Sequence, residues 1–141
     1  MIMELSKALE VARATNHSVF TTIRSNGLPQ LSNVTHHTDA AGIIRISTTA
    51  NRAKYINLTR RPWAALKVDG PSFWSYAVLE GDVELSKIAA VADDQTVEEL
   101  ITLYRSLAGE HPDWDEYRAA MVIDRRVVIR LNPNRAYGLL R

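Results

Sequence analysis

The chain contains no cysteine, which excludes a disulfide framework, a thiolate metal site and a cysteine nucleophile, and suits a reducing compartment. Charge of one sign is also missing: 17 Lys and Arg against 16 Asp and Glu leave a formal net charge of +1. Without a sequence-wide basic field, nucleic acid is not expected as the main partner, and any anion must be held by a local cluster. No long apolar run occurs. The opening MIMELSKALEVARA is broken by Glu4 and by alternating polar residues, so neither a signal peptide nor a membrane span is expected, and the chain is expected to be cytoplasmic. The six glycines form neither GxGxxG nor a Walker loop, and HExxH and GxSxG are absent. Rossmann, nucleotide-hydrolase and common hydrolase chemistries therefore lose their support. The four histidines are His17, His36, His37 and His111; the adjacent pair would point to opposite faces of a strand, so no metal site is expected.

What remains is ordinary globular material: 141 residues, 46% hydrophobic and 23% charged, enough for one domain spanning residues 1–141. Leu5, Ala8, Leu9 and Ala12 recur at helical spacing over residues 4–15, a short amphipathic helix placed as a lid. SVFTTIR (18–24) and QLSNVTHH (30–37) flank Asn26-Gly27, a dipeptide suited to a tight hairpin turn. IIRIST (43–48) follows Gly42 as a third strand. NRAKYINLTR (51–60) predicts a short helix with Asn51 as its cap and Pro62 beyond its end. WAALKVD (63–69) and FWSYAVLEGDVEL (73–85) predict a second hairpin around Asp69-Gly70-Pro71-Ser72, with a bulge at Gly81. Val97, Leu100, Ile101, Tyr104 and Leu107 predict a helix from Asp94 to Gly109; Pro112 opens another, with Asp113, Asp115 and Glu116 in its first turn. VVIRL (127–131) returns to strand and Pro133 closes it. The class is mainly β with inserted helices (α+β), antiparallel, without βαβ alternation.

One segment carries chemistry. In Ser47-Thr48-Thr49-Ala50-Asn51-Arg52-Ala53-Lys54 a hydroxyl-rich strand end runs into a helix with two cations at its start. Free N–H groups at a helix N-terminus, the planar fork of Arg and the point charge of Lys together make a phosphate grip. The alternative is a solvated surface turn. Gln30, Ser32 and Asn33 offer polar groups for the edge of a heterocycle, and Trp74-Ser75-Tyr76-Ala77 offers flat aromatic surface on a later strand. Trp74 and Tyr76 suit core or dimer-interface packing equally well.

The segments PQLSNV (29–34), RAKYINL (52–58), WSYAVLEG (74–81), TVEELITLYRSLAGEHPDWDEYRAAMV (96–122) and DRRVVI (124–129) resemble the pyridoxamine 5'-phosphate oxidase-like superfamily, most closely its small deazaflavin (coenzyme F420)-dependent reductase branch. The resemblance implies a six-stranded antiparallel split β-barrel, a homodimer with two cofactor sites at the subunit interface, and hydride transfer from reduced deazaflavin to a small conjugated acceptor. It puts the cofactor phosphate on Arg52 and Lys54, helped by Ser47, Thr48 and Asn57. Gln30, Ser32 and Asn33 would face the ring, with Trp74, Tyr76 and Ala77 nearby from one or the other subunit. Ala50-Asn51 departs from the acidic residue and proline of close relatives. FMN, whose phosphate the same cations would hold, and a cofactor carrier without turnover are the competing readings. Arg60 and Arg61, at a helix end that the dipole favours for cations, also lie where tail carboxylates of a deazaflavin could meet them.

Overall fold

A computed structural model describes residues 1–141. In chain order the elements are β1 (Ile2–Met3), α1 (Leu5–Arg13), β2 (His17–Ile23), β3 (Pro29–Thr35), β4 (His37–Thr38), β5 (Ile44–Thr49), α2 (Ala53–Arg60), β6 (Trp63–Asp69), β7 (Tyr76–Leu85), α3 (Gln95–Ala108), α4 (Trp114–Ile123) and β8 (Arg126–Leu139). The six strands read from the sequence are β2, β3, β5, β6, β7 and β8. Two-residue pieces, β1 and β4, enlarge the sheet to eight strands, too short for any periodicity to mark them.

All pairings are antiparallel, and the strands run β3-β2-β6-β7-β8-β5-β4 with β1 added on β8. Only His36 separates β3 from β4, yet these two lie at opposite ends of that order. The sheet must therefore curl until its edges meet. Where they meet, β3 and β5 approach each other without a hydrogen-bonded ladder, which leaves the barrel split. The β2–β3 turn is held by Gly27 at φ +85° and by Asn26 Oδ1, which accepts from the Leu28 N–H at 3.0 Å.

Phe20, Ile44, Ile46, Leu66, Leu79, Ile129 and Leu131 fill the barrel, and α1 seats Ala8 and Ala12 on the same core. These two positions on one helical face carry side chains small enough to bring the helix backbone close to the strands. His36 is fully buried beneath α1. Its Nε2 lies 2.9 Å from the Ala12 carbonyl and its Nδ1 2.7 Å from Ser18 Oγ. A carbonyl only accepts, so Nε2 carries the proton and Nδ1 accepts from the serine hydroxyl. A second core lies outside the barrel, where α3 and α4 set Val97, Leu100, Ile101 and Met121 on Val128.

Four local expectations are corrected. Asn51 does not cap α2: its Oδ1 accepts from Thr49 Oγ1 at 2.5 Å, and Arg52 holds the cap position without a side-chain cap bond. Pro112 does not open α4; Asp113 caps it by accepting from the Glu116 N–H, and an acid with free backbone N–H groups ahead of it outweighs proline's fixed φ. Pro133 does not end β8. The ladder shifts register there, with Gly81 opposite Pro133 and Glu80 opposite Arg135, and this bulge absorbs the proline's missing N–H. Phe73 and Trp74 do not belong to β7 but sit in a turn closed by the Gly70 N–H on the Ser75 carbonyl at 2.7 Å. A side chain on Gly70 would strike Ser75, so the chain closes its turn there instead of extending the strand.

Candidate functional site

The split between β3 and β5 opens into a cleft of about 450 Å³, roofed by α3 and α4, within the range of small-molecule sites. One end is cationic: Arg52, Lys54 and Arg126 stand around Ser47, Thr48 and Thr49. The other wall is Leu100, Leu103 and Leu107 of α3 with Met121 of α4, joined by Tyr104 and Tyr117. Asn33, Val34 and Thr35 form the β3 rim. None of the fifteen lining residues is acidic.

Electrostatics follow from that lining. Burial, and after it the neighbouring charge of Arg52, push the Lys54 ammonium below its ordinary value. Neither Lys54 nor Arg52 forms a salt bridge, so the pair repel each other across a site that an anion would relieve. Burial pushes the Tyr117 phenol up to about 12, and its O–H donates to the Leu100 carbonyl at 3.0 Å. That hydroxyl serves the roof. Tyr104 meets Tyr117, His111 and Trp114 edge-on at centroid distances of 5.1, 5.2 and 5.7 Å, and Arg105 covers Trp114 at 4.8 Å. These contacts make the α3–α4 hairpin a rigid aromatic wall.

Of the residues expected from sequence, the cleft gathers Asn33, Ser47, Thr48, Arg52 and Lys54. Asn57 stands behind it, buried, with its Nδ2 donating to Thr22 Oγ1 at 3.1 Å; Thr22 in turn bonds Gln30 Oε1 at 3.3 Å. This relay fixes α2 against the β2–β3 hairpin. Ser32 lies on the inward side of β3 with its Oγ buried and without a partner, while Asn33 faces out. Ala77 is fully buried in the barrel core. Tyr76, at the start of β7, and Trp74, in the preceding turn, are not among the cleft's lining residues. Arg60 donates to the Ile23 carbonyl at 3.0 Å and to Asn57 Oδ1 at 3.2 Å, and neither it nor Arg61 lines the cleft. Arg126, Tyr104, Tyr117 and the leucines of α3 were missed as site residues. For Arg126 the available signal was its place at the start of a strand antiparallel to the hydroxyl-rich one.

No group of three or more His, Cys, Asp or Glu is placed to hold a metal ion, and no helix is long and apolar enough to cross a membrane. A family model for pyridoxamine 5'-phosphate oxidase matches residues 5–140. Among solved structures, one named F420 reductase is 22% identical, covering 91% of this chain and 94% of its own, with a TM-score of 0.69. A conserved hypothetical protein from Mycobacterium tuberculosis is 20% identical over 95% of this chain and 82% of its own, with a TM-score of 0.70. A pyridoxamine 5'-phosphate oxidase-related, FMN-binding protein from Nostoc punctiforme is 17% identical over 94% and 79%, with a TM-score of 0.61. At these identities the likeness is one of fold.

Proposed function

The chain belongs to the pyridoxamine 5'-phosphate oxidase family, and we propose that within it the protein is a coenzyme F420-dependent reductase acting on a small conjugated acceptor. The observation that carries this reading is the cleft itself. It has a cationic, hydroxyl-rich end without a single carboxylate and an apolar, aromatic wall opposite, the two halves that a phosphate-bearing fused heterocycle requires. The residues present fit such a group. Arg52 and Lys54 would hold its phosphate with Ser47 and Thr48, and the outward amide of Asn33 would meet a ring edge.

Bound deazaflavin supplies the hydride chemistry; the chain supplies position and dryness. Leu100, Leu103, Leu107 and Met121 exclude water from one side of the cleft, and Tyr104 offers it a flat face. The Tyr104 hydroxyl makes no hydrogen bond within the chain, whereas that of Tyr117 is committed to Leu100, so only the former is free to turn toward a bound molecule.

The reading includes a homodimer. Phe73 and Trp74 are largely exposed on a turn tied down by Ser75, whose Oγ donates to the Arg141 carbonyl at 2.6 Å, and Leu31 and Tyr137 are exposed on the sheet. A second copy would cover these groups and could bring Trp74 and Tyr76 to the cofactor. Light scattering at micromolar concentration tests this; a stable monomer contradicts it. Resemblance in sequence to the deazaflavin branch, and a structural neighbour named F420 reductase, favour deazaflavin over FMN. The deciding experiment is a paired assay with reduced F420 and reduced FMN on conjugated ketones, imines and quinones. Turnover confined to F420 is expected. Comparable rates with FMN would defeat the cofactor assignment, and tight binding without turnover would make the chain a carrier.

A further inference from the structure

Three arginines project from one face of the β5–β8 ladder. The register sets Arg45 opposite Arg130, Ser47 opposite Val128 and Thr49 opposite Arg126, so alternation puts all six side chains beneath α3 and α4. Two of these cations are neutralised by the protein. Glu99 of α3 accepts from Nη2 and Nε of Arg130, at 2.5 and 2.7 Å, and from Arg45 Nε at 2.9 Å; Asp39, on Arg45, and Glu84, on the third nitrogen of Arg130, complete the cluster. The third is not. Arg126 has no carboxylate partner; its one side-chain hydrogen bond is a long one to Ser47 Oγ at 3.4 Å, and its Nε is buried with no acceptor.

Position explains the difference. Arg45 and Arg130 lie under the acidic stretch of α3, while Arg126 opens into the cleft, where the roof offers only leucines, Met121 and two tyrosines. Arg125, at φ 53°, turns the chain into β8, and its carbonyl accepts from the Ala50 N–H at 3.0 Å. This locks the first residue of β8 beside the loop that carries Arg52. A half-buried guanidinium with an orphaned N–H, beside two further cations without ion-pair partners, is an arrangement that a bound anion would stabilise.

We infer that Arg126 is a third cation of the phosphate grip, one that contacts the ligand's phosphate directly beside Ser47. This rests on the reading that the cleft takes a phosphate-bearing cofactor, and extends it to a residue from the far end of the sequence. Arg52 and Lys54 approach from the helix start and Arg126 from the strand below, so the anion meets cations from two elements instead of one. Glu99 cannot compete for Arg126 because it is saturated by Arg45 and Arg130.

Two probe pairs test the assignment: FMN with riboflavin, which differ only at the phosphate, and F420 with its deazaflavin riboside, which lacks the phosphate together with the carboxylate tail beyond it. Dissociation constants are measured by fluorescence titration for the wild type, Arg126→Gln and Arg126→Lys, with folding checked by circular dichroism. In the wild type the phosphorylated member should bind more tightly. Arg126→Gln should cut that preference roughly tenfold or more and leave the phosphate-free member nearly unchanged, while Arg126→Lys restores part of it. An unaltered preference in folded Arg126→Gln overturns the inference, as does an equal loss for both members of a pair, which would mark a purely structural arginine. If only the FMN pair responds, the deazaflavin assignment falls and Arg126 keeps its role; if the wild type binds neither pair, both fall.

Discussion

Replacing Glu99 by Gln removes one charge from the point where three elements are tied together. The carboxylate takes three hydrogen bonds from two guanidinium groups, and its side chain is only 18% exposed. Burial pushes this carboxyl up, but hydrogen bonds and charge from Arg130 and Arg45 outweigh it and hold the group below the usual carboxylate range. Removing one partner of a buried ion pair costs about 3–5 kcal/mol. Here Arg45 keeps Asp39 and Arg130 keeps Glu84, both at the solvent edge, so a loss of about 2 kcal/mol is expected, or roughly 4–8 °C in Tm for a chain of this size. The linkage has a definite sign. A carboxyl with a depressed folded pKa stabilises fully above its unfolded value and loses that contribution as pH falls through the folded one. Urea unfolding at fixed protein concentration should therefore separate wild type from Glu99→Gln at pH 7 and bring them together in acid. Equal midpoints at pH 7, or a gap of the same size at low pH, would refute the account.

Other expectations follow from the same geometry. Lys54→Ala should weaken binding of the phosphorylated cofactor by about 1.5–3 kcal/mol, measured by titration, and wild-type affinity should decline at alkaline pH earlier than an ordinary lysine would predict, because the Lys54 ammonium starts depressed. His36 is held below its ordinary value, chiefly by burial. Its unfolded form takes up a proton first as pH falls past about 6.5, so wild-type Tm should drop there more steeply than that of His36→Gln. Gly81→Ala would place a methyl group 2.1 Å from the Asn132 carbonyl, inside the β7–β8 ladder, and should destabilise by about 2 kcal/mol or more; an unchanged urea midpoint would mean that the bulge relaxes freely.

The strands and the first two cations were legible because their signals are local: Asn26-Gly27 sets one hairpin, and Arg52 and Lys54 stand two residues apart beside the hydroxyls of β5. Trp74 was misplaced because aromatic residues favour strands, while the contact that excludes it is the close approach of Gly70 to Ser75. The roof of the site was read as helices and the helices were right, but nothing in their periodicity tells which face of which strand they cover. Tyr104 and Arg126 therefore came to line the cleft only through tertiary register. Pro133 shows a related limit: a proline that ends most strands is carried through when a bulge opposite Gly81 accommodates it.

Strand β8 pairs with β7, β5 and β1, and so it alone joins β3-β2-β6-β7 to β5-β4. It is also the last of these strands to be synthesised. Until it emerges, the nascent chain holds the β2–β3 and β6–β7 hairpins and a β5 paired only with the two residues of β4, its other edge a sticky template for other chains. Closure of the barrel is therefore a late, long-range event, slow by the topology of its contacts. The cleft beside β5 comes into being at that same moment, since Arg126, one of its cations, begins the strand that performs the closure; a ligand of that cleft present during synthesis would act on this closing step and on none before it.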